Sequence, residues 1–267
     1  MSAGLLFDST RCIDCGACSA ACKEQNALPL PVEPKTTAYT WTTVEQLGGV
    51  NVRRLCMHCL DPTCVSVCPV GALSRTAEGA VVYDAKLCIG CRYCIMACPF
   101  GVPKYQWDSP VPVVGKCILC SDRVGAGQPT ACAAACPTGA TLFGERDALL
   151  AEAHARIGAE PGQYAPEVYG EKEAGGTSVL MLSSVPFDAL GMSVPPQQPL
   201  PMLTWRVLSG IPDFVAVAAS LLFGIHWITH RREEVAAAEG APPPAGGEPE
   251  RSRPGFWRRL IGAGGES

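Results

Sequence analysis

The sequence predicts an α+β fold made of small cysteine-rich modules, followed by an extended arm and one C-terminal transmembrane helix. The 267 residues include 16 cysteines, 28 glycines and 24 prolines, so we expect short elements joined by long irregular stretches. Every cysteine lies between Cys12 and Cys136. Near the other end, residues 207–229 form an apolar run with one formal charge, Asp213.

Composition also excludes some functions. Lys and Arg number 21 against 25 Asp and Glu, a net charge of −4, whereas a nucleic-acid-binding protein normally presents a strongly basic face. We therefore expect no nucleic-acid partner. Hydrophobic residues reach 48%, which excludes a fully disordered chain. The sequence contains no recognisable nucleophile–base pair, phosphate loop or dinucleotide fingerprint, so no catalytic residue is predicted.

The cysteines fall into four groups of four. The first and third groups read C-x2-C-x2-C-x3-C, and the middle gap is four residues in the second group and eleven in the fourth. In order, the groups are Cys12, Cys15, Cys18 and Cys22; Cys56, Cys59, Cys64 and Cys68; Cys88, Cys91, Cys94 and Cys98; and Cys117, Cys120, Cys132 and Cys136. The last three groups end in Cys-Pro, the pattern of bacterial ferredoxins that bind [4Fe–4S] clusters. The spacing therefore predicts four [4Fe–4S] clusters in ferredoxin-like modules.

Each loop suggests a local structure. Three thiolates on one tight loop suit three irons of a cubane, and we expect the fourth cysteine to open the following helix with proline at its entry. After Cys68 this predicts a short helix at residues 70–73 and then a strand at residues 80–84. The run from Pro137 to Thr141 echoes that from Pro69 to Leu73, which indicates an internal repeat.

Two other uses of the cysteines are disfavoured. A disulfide framework would need thiols spaced more widely than C-x2-C-x2-C allows. Structural zinc prefers paired C-x2-C knuckles a dozen or more residues apart, a pattern that only the fourth group approaches.

The spacing also predicts which cysteines share a cluster. The second and third groups are 19 residues apart and form one two-cluster module if they exchange fourth ligands. The first and fourth groups then pair by elimination, so that the second module encloses the first as two nested modules. The predicted ligand sets are Cys56, Cys59, Cys64 and Cys98; Cys88, Cys91, Cys94 and Cys68; Cys12, Cys15, Cys18 and Cys136; and Cys117, Cys120, Cys132 and Cys22.

Several longer motifs resemble those of a known family. They are Cys-Met-His-Cys-Leu-Asp-Pro-Thr-Cys at residues 56–64, Gly-Cys-Arg-Tyr-Cys at 90–94, Ala-Cys-Pro-Phe-Gly-Val-Pro at 97–103 and Tyr-Gly-Glu-Lys-Glu-Ala-Gly-Gly-Thr at 169–177. With the four cysteine groups, they resemble the iron–sulfur electron-transfer subunits of membrane-bound respiratory oxidoreductases. Members that share these motifs include the hydrogenase-2-type iron–sulfur subunits and the β subunits of respiratory formate dehydrogenases.

This resemblance implies a function and partners. It implies a non-catalytic subunit that passes electrons from a catalytic subunit, a [NiFe] hydrogenase or a molybdenum or tungsten formate dehydrogenase, to a membrane subunit that reacts with quinone. One alternative is the same electron-transfer role in a polysulfide, tetrathionate or dimethyl sulfoxide reductase. The other is an iron–sulfur redox sensor.

The rest of the chain is predicted in three parts after a cluster domain at residues 1–145. Residues 146–206 are expected to form a helix, which begins near Glu145 and stops at Gly158, and then an extended arm that contacts a partner and contains a strand at residues 178–182. The alternative for the arm is a mobile linker to the membrane. Residues 207–229, about 34 Å long as a helix, are expected to span a membrane. Residues 230–267 are expected to form a disordered cytoplasmic tail, with a membrane-docking segment at 255–261.

Charge and the N-terminus suggest an orientation. Arg231 and Arg232 follow the apolar run and more arginines lie in the tail, which predicts a cytoplasmic C-terminus and a periplasmic cluster domain. The first residues do not resemble a signal peptide, so we expect export in the folded state with a partner that carries the signal.

A few single residues have two interpretations each. His226 is either a haem ligand or quinone neighbour, or a structural residue that hydrogen-bonds a neighbouring helix or anchors the membrane interface with Trp227. His58 is expected to donate to cluster sulfur rather than to ligate iron. Lys86, Arg92 and Lys116 either raise cluster potentials or are solvated side chains.

Overall fold

The computed structural model describes residues 2–240, and the predicted tail segment at 255–261 lies outside them. Nine short strands are present in this part of the chain: β1 Ala3–Asp8, β2 Thr43–Leu47, β3 Val50–Arg54, β4 Leu73–Arg75, β5 Val81–Tyr83, β6 Lys104–Tyr105, β7 Val114–Gly115, β8 Thr141–Glu145 and β9 Val179–Leu182. Its helices are α1 Ala17–Gln25, α2 Thr63–Ser66, α3 Tyr93–Ala97, α4 Ser121–Gly125, α5 Ala131–Ala134, α6 Arg146–Ala159, α7 Leu200–Leu208 and α8 Ile211–Ala238. The α+β class is thus the observed one.

A three-stranded sheet joins distant parts of the chain. Its order is β8-β1-β9, with β1 antiparallel to β8 and parallel to β9. The pairs Leu5–Phe143 and Leu5–Val179 set the two registers. The other six strands form three antiparallel hairpins, β2-β3, β4-β5 and β6-β7.

Strand β9 comes from the segment that the sequence suggests is an extended arm. All four of its residues are buried, because a run of Val-Leu-Met-Leu has no polar face to present to solvent. Its residues pack against α6 and against the apolar cluster around Phe187 and Leu190. Contacts group residues 1–206 into one compact unit. Part of the expected arm is therefore integral to the core of this unit.

Two helix expectations need correction. The predicted helix at residues 70–73 is absent, because Leu73 begins strand β4, which pairs with β5. Helix α6 runs through Gly158 and ends at Ala159. One glycine near a helix end costs only about 1 kcal/mol, whereas Pro161 disfavours helical backbone in the residue before it.

A buried carboxylate ties β1 to α6. Asp8 is fully buried, and its Oδ2 accepts hydrogen bonds from Arg156 Nη1 at 2.9 Å and from the Tyr164 hydroxyl at 3.0 Å. Its Oδ1 accepts from the Thr10 hydroxyl at 2.6 Å and the Thr10 backbone N–H at 3.0 Å. Since a buried charge is tolerated only when it is paired and hydrogen-bonded, these contacts hold the helix against the sheet.

The second unit begins at Val207 and contains α8. The stretch Leu200–Ala238 is long and apolar enough to cross a membrane by length and composition, with a mean hydropathy of 1.8 in its most apolar 18-residue window. It fits a single-pass membrane anchor. Helix α8 begins four residues after the predicted start, with Pro212 in its first turn, where the missing N–H costs nothing.

The Asp8→Asn substitution is expected to destabilise the first unit. Breaking a buried ion pair typically costs about 3–5 kcal/mol, which corresponds to roughly 6–20 °C in the midpoint temperature of a unit this size. Thermal unfolding followed by circular dichroism measures the change. The control is Asp147→Asn, because Asp147 also pairs with an arginine, Arg146, but its side chain is 85% exposed, and such pairs contribute little. Equal midpoint shifts in the two variants would contradict a stabilising role for the buried pair.

Candidate iron–sulfur centres

Each cysteine loop turns through a left-handed residue just before its second cysteine. These residues are Asp14, His58, Gly90 and Leu119, with φ values of 53°, 48°, 72° and 55°. Such values are unfavourable for residues that carry a Cβ. In two loops the turn directs a backbone N–H at the first cysteine: Gly90 donates to Cys88 Sγ and Leu119 to Cys117 Sγ, both at 3.4 Å. These left-handed turns therefore supply hydrogen bonds to sulfur in two loops.

A short helix begins at or beside the third cysteine of each group. Cys18, Cys64, Cys94 and Cys132 lie in the first turns of α1, α2, α3 and α5. The expectation that the fourth cysteine opens a helix is therefore wrong. The prolines after the fourth cysteines follow the ends of α2, α3 and α5. These helices have only four or five residues, because proline cannot continue a helix. In α1 Lys23 stands in that place, and the helix continues to Gln25.

The Cys-Pro-x-Gly runs form turns around the fourth cysteine. Their glycines have positive φ, 65° at Gly71, 62° at Gly101 and 65° at Gly139. Burial acts to raise the pKa of Cys68, but the backbone N–H groups of residues 70–73 hold that pKa below its usual value. The pKa of Cys136 is also lowered despite burial, by backbone N–H groups after Pro137 and by the Thr138 hydroxyl. The internal repeat in the sequence thus corresponds to a turn that stabilises a thiolate.

The first and fourth groups combine around two cavities. Quartet 1 comprises Cys12, Cys15, Cys18 and Cys136, which line one cavity. Quartet 2 comprises Cys22, Cys117, Cys120 and Cys132, which line another. Burial, with the charges of Cys132 and Cys120, raises the pKa of Cys22 to about 12. Cys22 lacks the proline turn, and Asn26 Nδ2 donates to its sulfur at 3.6 Å instead.

The second and third groups combine in the same way. Quartet 3 comprises Cys56, Cys59, Cys64 and Cys98: burial raises the pKa of Cys59, and the other three cysteines raise it further. Quartet 4 comprises Cys68, Cys88, Cys91 and Cys94, which line a third cavity. The structure thus brings together the four sets of cysteines that the exchange of fourth ligands predicts. That these cysteines bind clusters stays a prediction.

The donor set fits [4Fe–4S] clusters. Each quartet offers four thiols, the ligands of cubane clusters, and the cavity of quartet 4 is otherwise lined mainly by apolar side chains such as Val70, Leu73 and Ile89. Within residues 2–240 no group of three or more His, Cys, Asp or Glu is arranged to hold a single metal ion. The cysteines of quartets 1, 2 and 4 line cavities.

Neighbouring quartets approach one another in a defined order. Cys117 of quartet 2 interacts electrostatically with Cys56 of quartet 3, and Cys64 of quartet 3 interacts with Cys94 of quartet 4. Arg53 interacts with both Cys18 of quartet 1 and Cys132 of quartet 2. These electrostatic interactions link the quartets in the order 1-2-3-4.

The single residues have distinct environments. His58 is fully buried, and its Nδ1 accepts the Val81 backbone N–H at 2.9 Å, while its Nε2 has no hydrogen-bond partner among residues 2–240. Its expected role as a donor to cluster sulfur stays a prediction. Burial, with the charges of Lys116 and Arg75, holds the His58 pKa well below its usual value. Lys116 is also buried, and its Nζ donates to the carbonyls of Val81 and Cys117.

The other two cations near the loops lie at the surface. Lys86 is exposed, and the Arg92 guanidinium lies 5.0 Å from the ring centroid of Trp107 and 5.5 Å from that of Tyr105. In α8 the rings of His226 and His230 are 5.9 Å apart. A cofactor role for His226 stays a prediction.

Arg53 is a buried residue that the sequence analysis misses. Its side chain lines the cavity of quartet 2. Burial by itself would lower the Arg53 pKa, but Cys132 and Cys18 raise it above the usual value. Burial would likewise raise the pKa of Cys132, but Arg53 and the Thr130 hydroxyl lower it. No local signal marks Arg53, because the cysteines with which it interacts, Cys18, Cys117 and Cys132, are at least 35 residues away in sequence.

Comparison with known proteins identifies the class. Residues 11–72 and residues 50–146 each match a family described as a 4Fe-4S dicluster domain. A protein of Nitratidesulfovibrio vulgaris (strain Hildenborough) is 40% identical over 259 residues, covering 90% of this chain and 70% of the relative. The hydrogenase-2 operon protein HybA of Escherichia coli O157:H7 is 37% identical over 241 residues, 72% of this chain and 73% of the relative. The iron-sulfur subunit of nitrate-inducible formate dehydrogenase of E. coli K12 is 37% identical over 195 residues, 66% of each chain.

These matches and the cysteine loops define an iron–sulfur protein with ferredoxin-like 4Fe-4S dicluster domains, which implies bound 4Fe-4S clusters. More narrowly, the chain belongs to the family of iron–sulfur subunits that includes HybA and the formate dehydrogenase iron-sulfur subunits. The resemblance seen in the sequence motifs is therefore confirmed.

Cluster sharing between the first and last groups predicts a specific pattern of loss. Cys12→Ser and Cys136→Ser are expected to alter the same electron paramagnetic resonance (EPR) component, because both cysteines line the cavity of quartet 1. The double variant is expected to lose no more iron than either single variant, about four atoms per chain for one cubane. EPR spectra and iron content of the purified full-length protein measure this.

Cys117→Ser is the matched control, because Cys117 belongs to the same sequence group as Cys136 but lines the cavity of quartet 2. It is expected to alter a different component. If Cys136→Ser and Cys117→Ser altered one common component, the assignment of the quartets would be wrong.

Proposed function

We propose that this chain is an electron-transfer subunit that binds four [4Fe–4S] clusters, one in each quartet. The observation that carries the proposal is the grouping of all sixteen cysteines into four quartets, three of which line cavities. The bound clusters supply one-electron transfer. No side chain of this chain is proposed to act on a substrate, and all sixteen cysteines are proposed as ligands.

The roles of the protein residues are to bind, shield and orient the clusters. Backbone N–H groups at Gly90 and Leu119, and those after Pro69 and Pro137, face cysteine sulfurs. The inner quartets lie within the apolar core, which contains Cys56, Cys117 and Cys132. Exclusion of water from this core lowers the local dielectric and makes each nearby dipole and charge more effective.

The terminal quartets are the proposed points of electron entry and exit. Cys15 of quartet 1 and Cys91 of quartet 4 are exposed, whereas Cys117, Cys132 and Cys22 of quartet 2 and Cys56 of quartet 3 are buried. Large apolar side chains are exposed beside quartet 4, among them Ile89, Tyr93 and Met96. Exposed apolar surface of this kind is typical of interaction sites. This supports docking of one partner subunit at each end.

The proposed partners come from the relatives. HybA is named for the hydrogenase-2 operon and the other relatives for formate dehydrogenase, so we propose a catalytic subunit that oxidises hydrogen or formate. Electrons then pass along the quartets to a membrane subunit that reacts with quinone. The apolar helix supports a single-pass inner-membrane anchor. Arg231 and Arg232 support a cytoplasmic C-terminus with the cluster domain in the periplasm.

Removal of the cluster at an inner quartet tests the proposed electron-transfer function. Cys98→Ser in quartet 3 is expected to reduce quinone-linked turnover at least tenfold, because the electron must cross this centre. Turnover of the catalytic subunit with an artificial acceptor is expected to stay unchanged. Ser74→Ala is the control, since Ser74 is an exposed residue of the neighbouring strand β4. If the Cys98→Ser variant lost this centre and its quinone-linked turnover stayed unchanged, electron transfer through quartet 3 would be refuted.

Metal analysis of the native complex tests the cluster count and the partner. The complex, solubilised gently from membranes through this chain, is expected to contain about sixteen irons in this subunit. Nickel would identify a hydrogenase partner, and molybdenum or tungsten a formate dehydrogenase or a reductase. Zinc in place of iron would overturn the proposal.

A further inference from the structure

A buried arginine lies between two of the quartets. The Arg53 side chain is 1% exposed and lines the cavity of quartet 2. Its guanidinium interacts electrostatically with Cys132 and Cys117 of that quartet and with Cys18 of quartet 1. Arg53 is therefore close to quartet 2 and also reaches the edge of quartet 1.

Two threonines hold this guanidinium in place. Arg53 Nε donates to Thr42 Oγ1 at 3.1 Å, and Nη1 donates to Thr141 Oγ1 at 2.8 Å. Thr42 precedes β2 and Thr141 begins β8, so two separate elements fix the side chain. The planar guanidinium suits such a fixed position better than the flexible ammonium of lysine.

Nothing in residues 2–240 neutralises this charge with a carboxylate. Arg53 forms no ion pair within that range, whereas its neighbour Arg54 pairs with Glu45 at 3.3 Å and is partly exposed. The buried Nη2 atom of Arg53 makes no hydrogen bond of good geometry, although the Cys132 thiol is within interaction range. Burying an unpaired cation is costly, so the compensating negative charge is expected from the cavity that Arg53 lines.

We propose that Arg53 is the buried counter-charge of the cluster held by quartet 2 and raises the reduction potential of that cluster above the value it would have without the cation. This proposal rests on the proposed function, since it requires a cluster in quartet 2. One-electron reduction adds one negative charge to the centre, and a fixed positive charge a few ångströms away stabilises the reduced form more than the oxidised form. Arg53 is a positioning residue that tunes the centre and is not a ligand.

The same geometry ranks the effect on the four centres. Quartet 2 is affected most, because Arg53 lines its cavity. Quartet 1 is affected less, because Arg53 interacts with Cys18 of that quartet but with all four cysteines of quartet 2. The principal interactions of Arg53 include no cysteine of quartet 3 or quartet 4. The reduction equilibrium constants of these two centres are therefore expected to change little.

Redox titration of an Arg53→Gln variant tests the proposal. The full-length protein, with its clusters and in detergent, is titrated with dithionite and followed by EPR. The component of quartet 2 is identified as the one altered by Cys22→Ser. Its reduction equilibrium constant is expected to fall at least tenfold, which is 59 mV for one electron. That of quartet 1 is expected to fall less, and those of quartets 3 and 4 to stay within about threefold.

Arg54→Gln is the matched control, because it removes the same charge one residue along the strand, from a side chain that pairs with Glu45. It is expected to leave all four equilibrium constants within about threefold. Arg53→Lys retains the charge and is expected to keep most of the potential of quartet 2.

Three results would overturn the proposal: no shift at quartet 2 in Arg53→Gln with four centres intact, an equal shift at all four centres, or a tenfold fall in Arg53→Lys. If the Arg53→Gln variant loses the cluster of quartet 2, the reduction equilibrium constant of that cluster in Arg53→Lys decides whether the proposal stands. The two proposals fail separately, because wild-type protein without [4Fe–4S] signals would refute the proposed function as well.

Discussion

Burial of cysteine sulfur in a small protein interior is the constraint on which the rest of this structure depends. Thiolates are charged, so each one needs donors or cations in place of water. The chain supplies backbone N–H groups through turns with positive φ, as at Gly90 and Leu119. The short helices, the prolines that end three of them and the glycine turns that follow all position such donors around sulfur.

The same constraint accounts for an interior rich in buried cations. Lys23, Arg53 and Lys116 are each at most 3% exposed. The two lysines donate to backbone carbonyls, Lys23 to Pro29 and Tyr39 and Lys116 to Val81 and Cys117. Arg53 has only two threonine hydroxyls as hydrogen-bond acceptors of good geometry. Its guanidinium also interacts electrostatically with Cys132, Cys18 and Cys117, which distinguishes it from the lysines.

The peripheral elements close the structure around the quartets. Strand β1 lies between β8 and β9, so residues before the first cysteine group pair with residues after the last one. Asp8, at the end of β1, then fastens α6 through Arg156. Because the first and fourth cysteine groups line common cavities, this sheet also holds the two ends of the cysteine-rich region together.

The sequence by itself determined the family, the α+β class, the cysteine loops and an apolar C-terminal segment, because ligand spacing and hydropathy are local properties. Only the tertiary structure decided that β9 joins the core sheet, that the prolines end helices, and that Arg53 lies between quartets 1 and 2. Proline is compatible with the start of a helix and also with the residues after its end. Only tertiary packing decides which of these two positions each proline occupies. Arg53 is distant in sequence from the sulfurs it faces, so its role depends on contacts that no spacing rule encodes.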